Sequence, residues 1–390
     1  MRVAMLHWAF PPVIGGVETH LALLGPELVE RGWEVFLLTN SVEGMADDYT
    51  WKGMEINRTP LMDLNSLSLV KIEVMADKIR EKIYRFIEKV KPDLIHAHNM
   101  HYFSPVHAEV LFDIKRKMGI PLILTAHNVW EDQLWDQMCQ LAGDWDAVIA
   151  VSHYIKEELI KAGYPADRIF TIHHGIDIDR FRPPTREEQE EILRVNPHFA
   201  GRRVIFHPAR MSLDKGCHIG VRALALIVRE FPEVLLVMAG TTKTVDWGNH
   251  QPHHVHRITA MVEELGLQNN VWVKFFPWEE MPRMYQASEI VIYPSCFQEP
   301  FGLVMLEAQA TARPIIVSRA GGMPEVIKHG ENGFVVEMND HGQLAENCLY
   351  LLRNPELGRQ IGSRGRTLVE KYYTKEIMTE KTSEVYKAVC

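Results

Sequence analysis

The sequence predicts an α/β protein made of two doubly wound domains. The chain has 390 residues, which is about twice the length of a typical single domain. An apolar strand-like run from Val3 to Ala9 passes through a glycine-containing loop into a helical apolar pattern. The same alternation of strand and helix patterns starts again near Val204. Two successive series of βα units therefore indicate two domains, each with a mostly parallel sheet.

Composition limits the functional classes. Hydrophobic residues make up 46% and charged residues 24% of the chain, as in an ordinary globular protein with a sizeable core. The net charge of −9 at pH 7 argues against a general nucleic-acid-binding protein, which would usually be basic. We therefore expect no nucleic-acid partner.

The cysteines indicate a reducing compartment, and the apolar runs do not predict a membrane span. Five cysteines are scattered without a C-x-x-C pair. The N-terminus has no long apolar core with a small-residue cleavage site, and no apolar run approaches the roughly 18 residues of a membrane span. The expected location is the cytoplasm, with the inner face of the membrane as the alternative.

The first βα unit carries a glycine pair, Gly15 and Gly16, at the start of its helix. Apolar spacing becomes helical from Val17, and Gly32 is the predicted helix terminator before the next strand. Glycines at this position let a ligand approach the backbone, although they also suit a plain turn. The G-x-G-x-x-G pattern is absent, so a dinucleotide-dependent dehydrogenase is not supported.

Residues 71–91 form the strongest amphipathic pattern in the chain. Seven basic and four acidic side chains give this predicted helix a net charge of +3. Such a helix either packs on the sheet with a solvated outer face or lies on an anionic membrane. Peripheral membrane contact through this segment is therefore kept as an alternative.

Polar residues follow two predicted strands of the first domain. His98 ends one strand, and His127 follows the next. Ligand groups in open parallel sheets collect at such carboxyl ends. Trp130 and Trp135 lie in the aromatic and acidic stretch that comes after His127, and indole rings beside carboxylates suit a polyol acceptor as well as they suit packing under a loop.

A charged, proline-containing stretch, residues 180–203, is predicted to link the two domains. We place the first domain at residues 1–180, the second at 181–370 and a terminal helix at 371–390. Tyr372, Tyr373, Ile377 and Tyr386 are the candidate packing face of that helix.

In the second domain, Arg210 and Lys215 flank a short loop between a strand and a helix. An arginine fork and a lysine point charge that meet at one place can stabilise a diphosphate, although surface basic residues around a turn are equally common.

The stretch from Glu299 to Glu307 combines two carboxylates with a predicted helix start. Pro300 keeps Glu299 out of the helical region, and the run from Leu303 to Ala312 is rich in helix formers. The backbone N–H groups of Phe301, Gly302 and Leu303 then converge where the helix dipole favours negative charge. Two carboxylates around an anion-binding helix start suit a ligand with hydroxyl and phosphate groups, which indicates a sugar nucleotide.

Two patterns could suggest a metal and are better explained otherwise. The D-x-D triplets at 144–146 and 177–179 fit strand edges and turns. A set of four histidines at 250, 253, 254 and 256 has no acid or cysteine to complete a zinc site and fits a polar loop. No metal is expected.

With P-F-G-L after the first Glu, the E-x7-E pattern resembles that of the retaining family 4 glycosyltransferases, also called glycosyltransferase group 1, of the GT-B fold. The segment Gly15 to Glu18 is similar to the family's G-G-x-E loop, His127-Asn128 to its H-[DN], and Arg210 to Gly216 to its R-x4-K-G. His174 stands where the family's N-G-V-D has asparagine. Phe275 to Trp278 replaces the family's F-x-G beside the nucleobase, which leaves the base open.

The resemblance implies a fold and roles. Two Rossmann-like domains would face each other across a cleft, the first on the acceptor side and the second binding the nucleotide sugar. Glu299 would contact the sugar hydroxyls, Glu307 the ribose, and His127 the sugar near its reacting carbon. The Gly15 loop, Arg210 and Lys215 would contact the diphosphate, and the terminal helix would cross back to the first domain.

The predicted function is transfer of a sugar from a nucleoside-diphosphate sugar to an acceptor hydroxyl with retention, without a required cofactor. A UDP-sugar is favoured, with a GDP-sugar as the alternative, and the acceptor is a small polyol, a sugar or a lipid-linked hydroxyl. A nucleotide-sugar 2-epimerase or hydrolase of the same fold and a non-catalytic sugar-nucleotide-binding protein are the other hypotheses.

Overall fold

The computed structural model describes residues 1–64, 66–102, 104–240 and 251–390. The chain divides into two compact units. Unit 1 comprises residues 1–175 together with 375–390, and unit 2 comprises residues 176–374.

Unit 1 is built on a sheet that has eight strands in its described part. Neighbouring strands follow the order β3-β4-β2-β1-β5-β6-β7-β8, and every pair is parallel except β3 with β4. The central strands are apolar on both faces because helices cover both sides of a parallel sheet. The strands are β1 Arg2–Leu6, β2 Glu34–Thr39, β3 Asp48–Trp51, β4 Met54–Arg58, β5 Leu94–His98, β6 Leu122–Ala126, β7 Ala147–Ala150 and β8 Ile169–Thr171.

The helices of unit 1 begin at side chains that satisfy free backbone N–H groups. Ser104, Asp132 and Ser152 each accept a hydrogen bond from the third residue of the helix that follows. The helices are α1 Gly16–Glu30, α2 Leu69–Val74, α3 Ala76–Val90, α4 Pro105–Met118, α5 Gln133–Cys139 and α6 His153–Lys161.

The single helix predicted over 71–91 is two helices, so that prediction was wrong. The chain leaves helical geometry at Met75, where φ is −98° and ψ is 6°. The segment contains neither proline nor glycine, so no local signal marks the break. Helix α3 buries apolar side chains of this pattern, which are Ile79, Ile83, Phe86, Ile87 and Val90. In contrast, Leu69, Val70 and Val74 of α2 are exposed. Within the described residues, no helix combines the length and apolarity needed to cross a membrane.

Unit 2 contains a sheet of six parallel strands in its described part. The order is β11-β10-β9-β12-β13-β14, which reverses direction between β9 and β12. In a doubly wound sheet such a reversal opens a crevice at the carboxyl ends of the two strands. The strands are β9 Arg203–His207, β10 Val234–Gly240, β11 Val271–Phe275, β12 Ile290–Tyr293, β13 Ile315–Ser318 and β14 Phe334–Val336.

The helices of unit 2 include one within the predicted linker. Residues 186–195 form a helix, whose start is capped by the reciprocal contacts of Thr185 and Glu188, so the predicted linker contains secondary structure that the sequence analysis did not identify. The helices are α7 Arg186–Val195, α8 Cys217–Ile227, α9 Gln251–Glu264, α10 Met281–Ala287, α11 Leu303–Ala310, α12 Met323–Val326, α13 His341–Arg353 and α14 Pro355–Tyr372.

Helix α9 also corrects the predicted histidine loop. His253, His254 and His256 lie on this helix, where His253 and His256 share a face and His254 faces neither of them. His250, the fourth member of the set, lies outside the described residues.

The last helix, α15 Lys375–Val389, packs in unit 1. Met378, Val385 and Tyr386 are buried in the apolar core beside β1 and β2. The predicted packing face was wrong in two members, because Tyr372 belongs to α14, where it is 50% exposed, and Tyr373 lies between α14 and α15.

Candidate functional site

The two carboxylates of the E-x7-E motif lie where the motif predicted. Glu299 is on the loop after β12, and Glu307 is in the second turn of α11, which begins at Leu303. Gly302 is the residue before the helix and has a φ of +89°. Because no side chain caps this helix start, its first N–H groups can bind a ligand.

Glu299 is held by two donors on one oxygen. The Tyr293 hydroxyl donates to its Oε2 at 2.7 Å, and the Lys215 ammonium donates to the same atom at 3.0 Å. The residue is 9% exposed, so its carboxylate is largely shielded from water. The structure therefore brings the predicted residues Lys215 and Glu299 together.

The position of Lys215 depends on a close approach of two loops. Gly216 has a φ of +75°, and a Cβ atom at this residue would lie 1.8 Å from the carbonyl oxygen of Pro294. The Cys296 N–H donates to the Asp214 carbonyl at 2.7 Å, which ties the same loops together. Only glycine fits at this contact, and the loop after β9 can then bring Lys215 beside Glu299.

Arg210 belongs to the same neighbourhood. Burial raises the pKa of Tyr293 well above its ordinary value, the Glu299 carboxylate raises it further, and the charge of Arg210 opposes this rise. Arg210 therefore lies within electrostatic reach of Tyr293.

Glu307 is paired with a tyrosine that the sequence did not single out. The hydroxyl of Tyr285, which is fully buried on α10, donates to Oε2 of Glu307. Burial raises the pKa of Glu307, whereas the Tyr285 hydrogen bond and the charge of Arg180 lower it. The carboxylate is thus fixed in direction in a poorly hydrated place.

Arg180 and Trp278 form a second feature that sequence reasoning missed. The guanidinium carbon of Arg180 lies 3.1 Å from the centre of the Trp278 ring, and its Nη2 donates to the Trp278 carbonyl. Such stacking is a cation–π contact. Trp278 occupies the segment that departs from the family's F-x-G pattern, so a local signal existed there, while Arg180 could be linked to it only in three dimensions.

In unit 1 the glycine pair stands at the beginning of α1. Gly15 precedes the helix with a φ of −164°, and Gly16 is its first residue. A Cβ on Gly16 would meet no heavy atom of the described residues within 4 Å. Glu18, the next motif residue, is buried and lies 3.0 Å from the Nε2 of His7.

His127 and His98 belong to a cluster of buried imidazoles with His20 and His174. His98 Nδ1 lies 3.2 Å from His127 Nε2, and His20 Nδ1 lies 2.9 Å from His174 Nδ1. Each distance fits an N–H of one ring that donates to the bare nitrogen of the other. Burial, with help from neighbouring histidines, lowers the pKa of all four rings, that of His174 to about 3. The cluster is therefore neutral at physiological pH.

Three ring nitrogens of the cluster lack a hydrogen-bond partner among the described residues. They are Nε2 of His20, Nε2 of His98 and Nδ1 of His127, and all three are buried. A buried polar atom that is left unpaired costs about 1–3 kcal/mol. Hydroxyl groups of a ligand would recover this energy.

Three histidines of the cluster could also bind a metal ion. One ring nitrogen each from His20, His98 and His127 lies within 4.8 Å of the other two. Imidazole nitrogens bind zinc at roughly 2.0–2.1 Å. The His98 and His127 rings are already joined by an N–H···N contact, and His20 pairs with His174 and makes ring contacts with the other two, so the geometry does not require an ion.

Trp130 and Trp135 line a cavity of about 580 Å³ in unit 1. The Trp130 ring stacks on Tyr102 at 4.9 Å, and Trp135 is 7% exposed and lies edge-on to His101. Acidic side chains dominate the polar lining, which consists of Glu131, Asp132, Gln133, Asp136, Glu158 and Lys161. The acceptor role of this cavity stays a prediction.

Known protein families and relatives match almost the whole length of this chain. A family model described as Glycosyltransferase Family 4 matches residues 14–180, and one described as Glycosyl transferases group 1 matches residues 188–368. Spore coat protein SA of Bacillus subtilis is 29% identical, over 97% of this chain and 96% of its own length. Alpha-maltose-1-phosphate synthase of Mycolicibacterium smegmatis is 26% identical over the full length of both proteins.

Solved structures agree with the predicted architecture. HepE of Anabaena, crystallised in complex with UDP and glucose, superposes over 100% of both chains with a TM-score of 0.79 and 21% identity. At that identity the likeness concerns the fold, and it confirms two Rossmann-like α/β domains of the GT-B type. With both of its halves matched by models of one enzyme family, the chain belongs to the family 4, or group 1, glycosyltransferases.

Proposed function

We propose that this protein transfers a hexose from a nucleoside-diphosphate sugar, with UDP favoured, to an acceptor hydroxyl with retention at the anomeric carbon. The observation that carries the proposal is the arrangement in unit 2 of Lys215, Glu299 and Glu307 around the uncapped start of α11. Anion-binding N–H groups, a cation and two fixed carboxylates match the phosphates and hydroxyls of such a donor.

The proposed reaction breaks the bond between the anomeric carbon and the diphosphate oxygen. Lys215, Arg210 and the N–H groups of residues 301–303 stabilise the charge that builds on the leaving oxygen, each contact being worth roughly 3 kcal/mol of barrier. The acceptor oxygen attacks from the same face, and its proton passes to the leaving phosphate oxygen. Inversion in the product would contradict this scheme.

The predicted site residues keep the roles that the family resemblance implies. Glu299 accepts hydrogen bonds from the sugar hydroxyls and Glu307 from the ribose. In unit 1, the Gly15 and Gly16 turn is assigned to the diphosphate and His127 to the sugar. The unpaired ring nitrogens beside His127 support a polyhydroxylated ligand there.

UDP is the favoured nucleotide because HepE, which shares the fold, was crystallised with UDP and glucose. The proposed acceptor is a small polyol, a sugar or a lipid-linked hydroxyl. Its proposed binding place is the cavity lined by Trp130 and Trp135. Exposed Leu69 and Val70, which precede segment 71–91, and Val74 within it support the lipid-linked version with peripheral membrane contact.

The test is a thermal-shift panel with UDP, GDP, ADP and dTDP on the wild type and on Glu307→Ala. A nucleotide at about 100 times its Kd should add ~2.7 kcal/mol of stability. One nucleotide should raise the Tm of the wild type, and Glu307→Ala should lose that shift. Glu346→Ala, an exposed carboxylate on α13, is the matched control and should keep it.

Turnover of the sugar donor then separates the reaction classes. Transfer requires product that depends on an added acceptor and keeps the anomeric configuration, as read by proton NMR. Release of UDP without any acceptor would favour the hydrolase or 2-epimerase. Binding without turnover of any donor would favour a sugar-nucleotide-binding protein.

A further inference from the structure

Two buried tyrosines repeat the spacing of the two carboxylates in unit 2. Tyr285 and Tyr293 are eight positions apart, as are Glu299 and Glu307. The rings are 0% and 2% exposed. Tyr293 contacts Glu299, and Tyr285 contacts Glu307, so each carboxylate has its own phenol.

Both phenols act as donors. An ionised carboxylate can only accept, so the proton of each hydrogen bond belongs to the tyrosine. Burial raises the pKa of both hydroxyls well above the ordinary tyrosine value, and the neighbouring carboxylates add to this rise. The phenols therefore remain protonated throughout the physiological pH range.

The rings cannot follow a moving carboxylate. Tyr285 packs edge-on against Phe206 at 5.1 Å and Phe181 at 5.9 Å between ring centres. Tyr293 is the last residue of β12, and a Cβ atom added at Gly302 would lie 3.6 Å from a carbon of its ring. A hydroxyl on a ring locked by packing sets the direction of the carboxylate it contacts.

We propose that Tyr285 and Tyr293 are positioning residues for the donor, each of which binds Oε2 of one glutamate so that its Oε1 is presented to ligand hydroxyls. This inference rests on the proposed function, since it assumes that Glu307 and Glu299 bind the ribose and the sugar. It adds two residues that never touch the ligand to the set that determines donor affinity.

The two pairs differ in how much they depend on the tyrosine. Oε2 of Glu299 also accepts from Lys215 at 3.0 Å, so a second donor remains when Tyr293 is changed. Among the described residues, Oε2 of Glu307 accepts a hydrogen bond from Tyr285, and the charge of Arg180 lies nearby. Loss of Tyr285 should therefore have the larger effect on its carboxylate.

The experiment compares Tyr285→Phe with Tyr293→Phe, using calorimetry with the nucleoside diphosphate selected in the thermal-shift panel and steady-state kinetics with its sugar donor. Tyr285→Phe should weaken binding of the free nucleotide roughly 10-fold, since the hydrogen bond to a charged group is lost. Tyr293→Phe should leave nucleotide binding within about twofold and lower kcat/KM for the sugar donor roughly 10-fold.

The pH dependence of binding provides a readout that a packing role would not move. Glu307 binds ribose as a carboxylate, so nucleotide affinity should fall as the pH drops through its raised pKa. Tyr285→Phe removes a contact that lowers this pKa, so the fall should begin at a higher pH in the variant. Tyr293→Phe should keep the wild-type profile for the free nucleotide.

The controls separate the two hypotheses. Tyr350→Phe changes an exposed tyrosine of unit 2 and should match the wild type in every measurement. A wild type that binds no nucleotide would overturn the proposed function and this inference together. A wild type that binds, with both variants folded and unchanged in affinity, kinetics and pH profile, would overturn the inference alone. Each variant tests its own pair, so misfolding of one leaves the other decisive.

Discussion

Gly216 controls whether the Lys215 side chain can stand beside Glu299. Its positive φ and the closeness of the Pro294 carbonyl are two separate restrictions, one on the backbone and one on space. A residue with a Cβ would have to displace the loop that carries Glu299 or the loop that carries Lys215.

Gly216→Ala should lower the free energy of unfolding by roughly 3 kcal/mol, because strain and a steric clash add together. Gly266→Ala is a matched control: Gly266 also has a positive φ, of +68°, but a Cβ there would meet no described heavy atom within 4 Å. It should lose only about 1 kcal/mol, from backbone strain. Urea unfolding of both variants makes the comparison, and equal losses would mean that the contact with Pro294 has no influence.

At the scale of elements, local motifs were predictable and their partners were not. Helix α11 and its uncapped start followed from Pro300 and the helix formers after it, since both signals lie within a few residues. Tyr285 and Arg180 are 22 and 127 positions from Glu307 and face it only because the sheet brings β12 and α10 next to α11. The separation of two residues along the sequence does not show that the fold will bring them into contact.

Helix boundaries failed where the deciding signal was weak or was not used. The capping box of Thr185 and Glu188 is a local signal and could have identified α7 within the supposed linker. Helices α2 and α3 are separated at Met75, and α14 and α15 are separated at residues 373–374. Neither place contains a proline or a glycine that would predict the end of a helix.

Helix α15 contributes to unit 1 through Tyr386. Its hydroxyl lies 2.6 Å from Nδ1 of buried His96, and its ring lies edge-on to Trp33 at 5.2 Å. Tyr386→Phe should lower unit 1 stability by about 1–3 kcal/mol, since a buried polar atom of His96 loses its partner. Tyr386→Ala should lower it by about 3–5 kcal/mol, because a large cavity is added.

Hydrogen exchange of unit 1 peptides during urea unfolding measures this effect. Tyr372→Ala is the control, because that ring is 50% exposed and changes of exposed side chains usually stay within roughly 0.5 kcal/mol. A comparable loss in both alanine variants would contradict the assignment of Tyr386 to the unit 1 core.

At the scale of the whole molecule, the buried histidines make stability depend on acid. The pKa of His96 and that of His174 fall to about 3 because of burial, and the pKa values of His20, His98 and His127 are also lowered. The unfolded chain binds protons to these rings near pH 6.5, so it is favoured below that pH. Their contribution to stability is complete above about pH 6.5 and is lost as the pH falls toward 3.

His174→Asn should weaken this acid dependence. Asparagine can still hydrogen-bond to His20, which lies 2.9 Å from His174, but it does not titrate. Between about pH 6.5 and pH 5 the loss of stability per pH unit should be smaller than in the wild type by up to ~1.4 kcal/mol. Urea unfolding at several pH values provides the measurement. An unchanged slope in His174→Asn would refute the expectation.

The chain enters unit 2 at Ile176 and returns to unit 1 at Lys375, and Ile176 and Thr374 pair at the end of unit 2. A ribosome therefore releases every residue of unit 2 before it releases α15. Until then, the nascent chain must carry the apolar surface around Trp33 and the side chain of His96 uncovered, because Tyr386 has not yet been made. Uncovered surface of this kind attracts chaperones and promotes aggregation. Unit 2 can therefore finish folding before unit 1, although most of unit 1 is synthesised first. Residues 1–175 cannot complete their core until α15 has been synthesised.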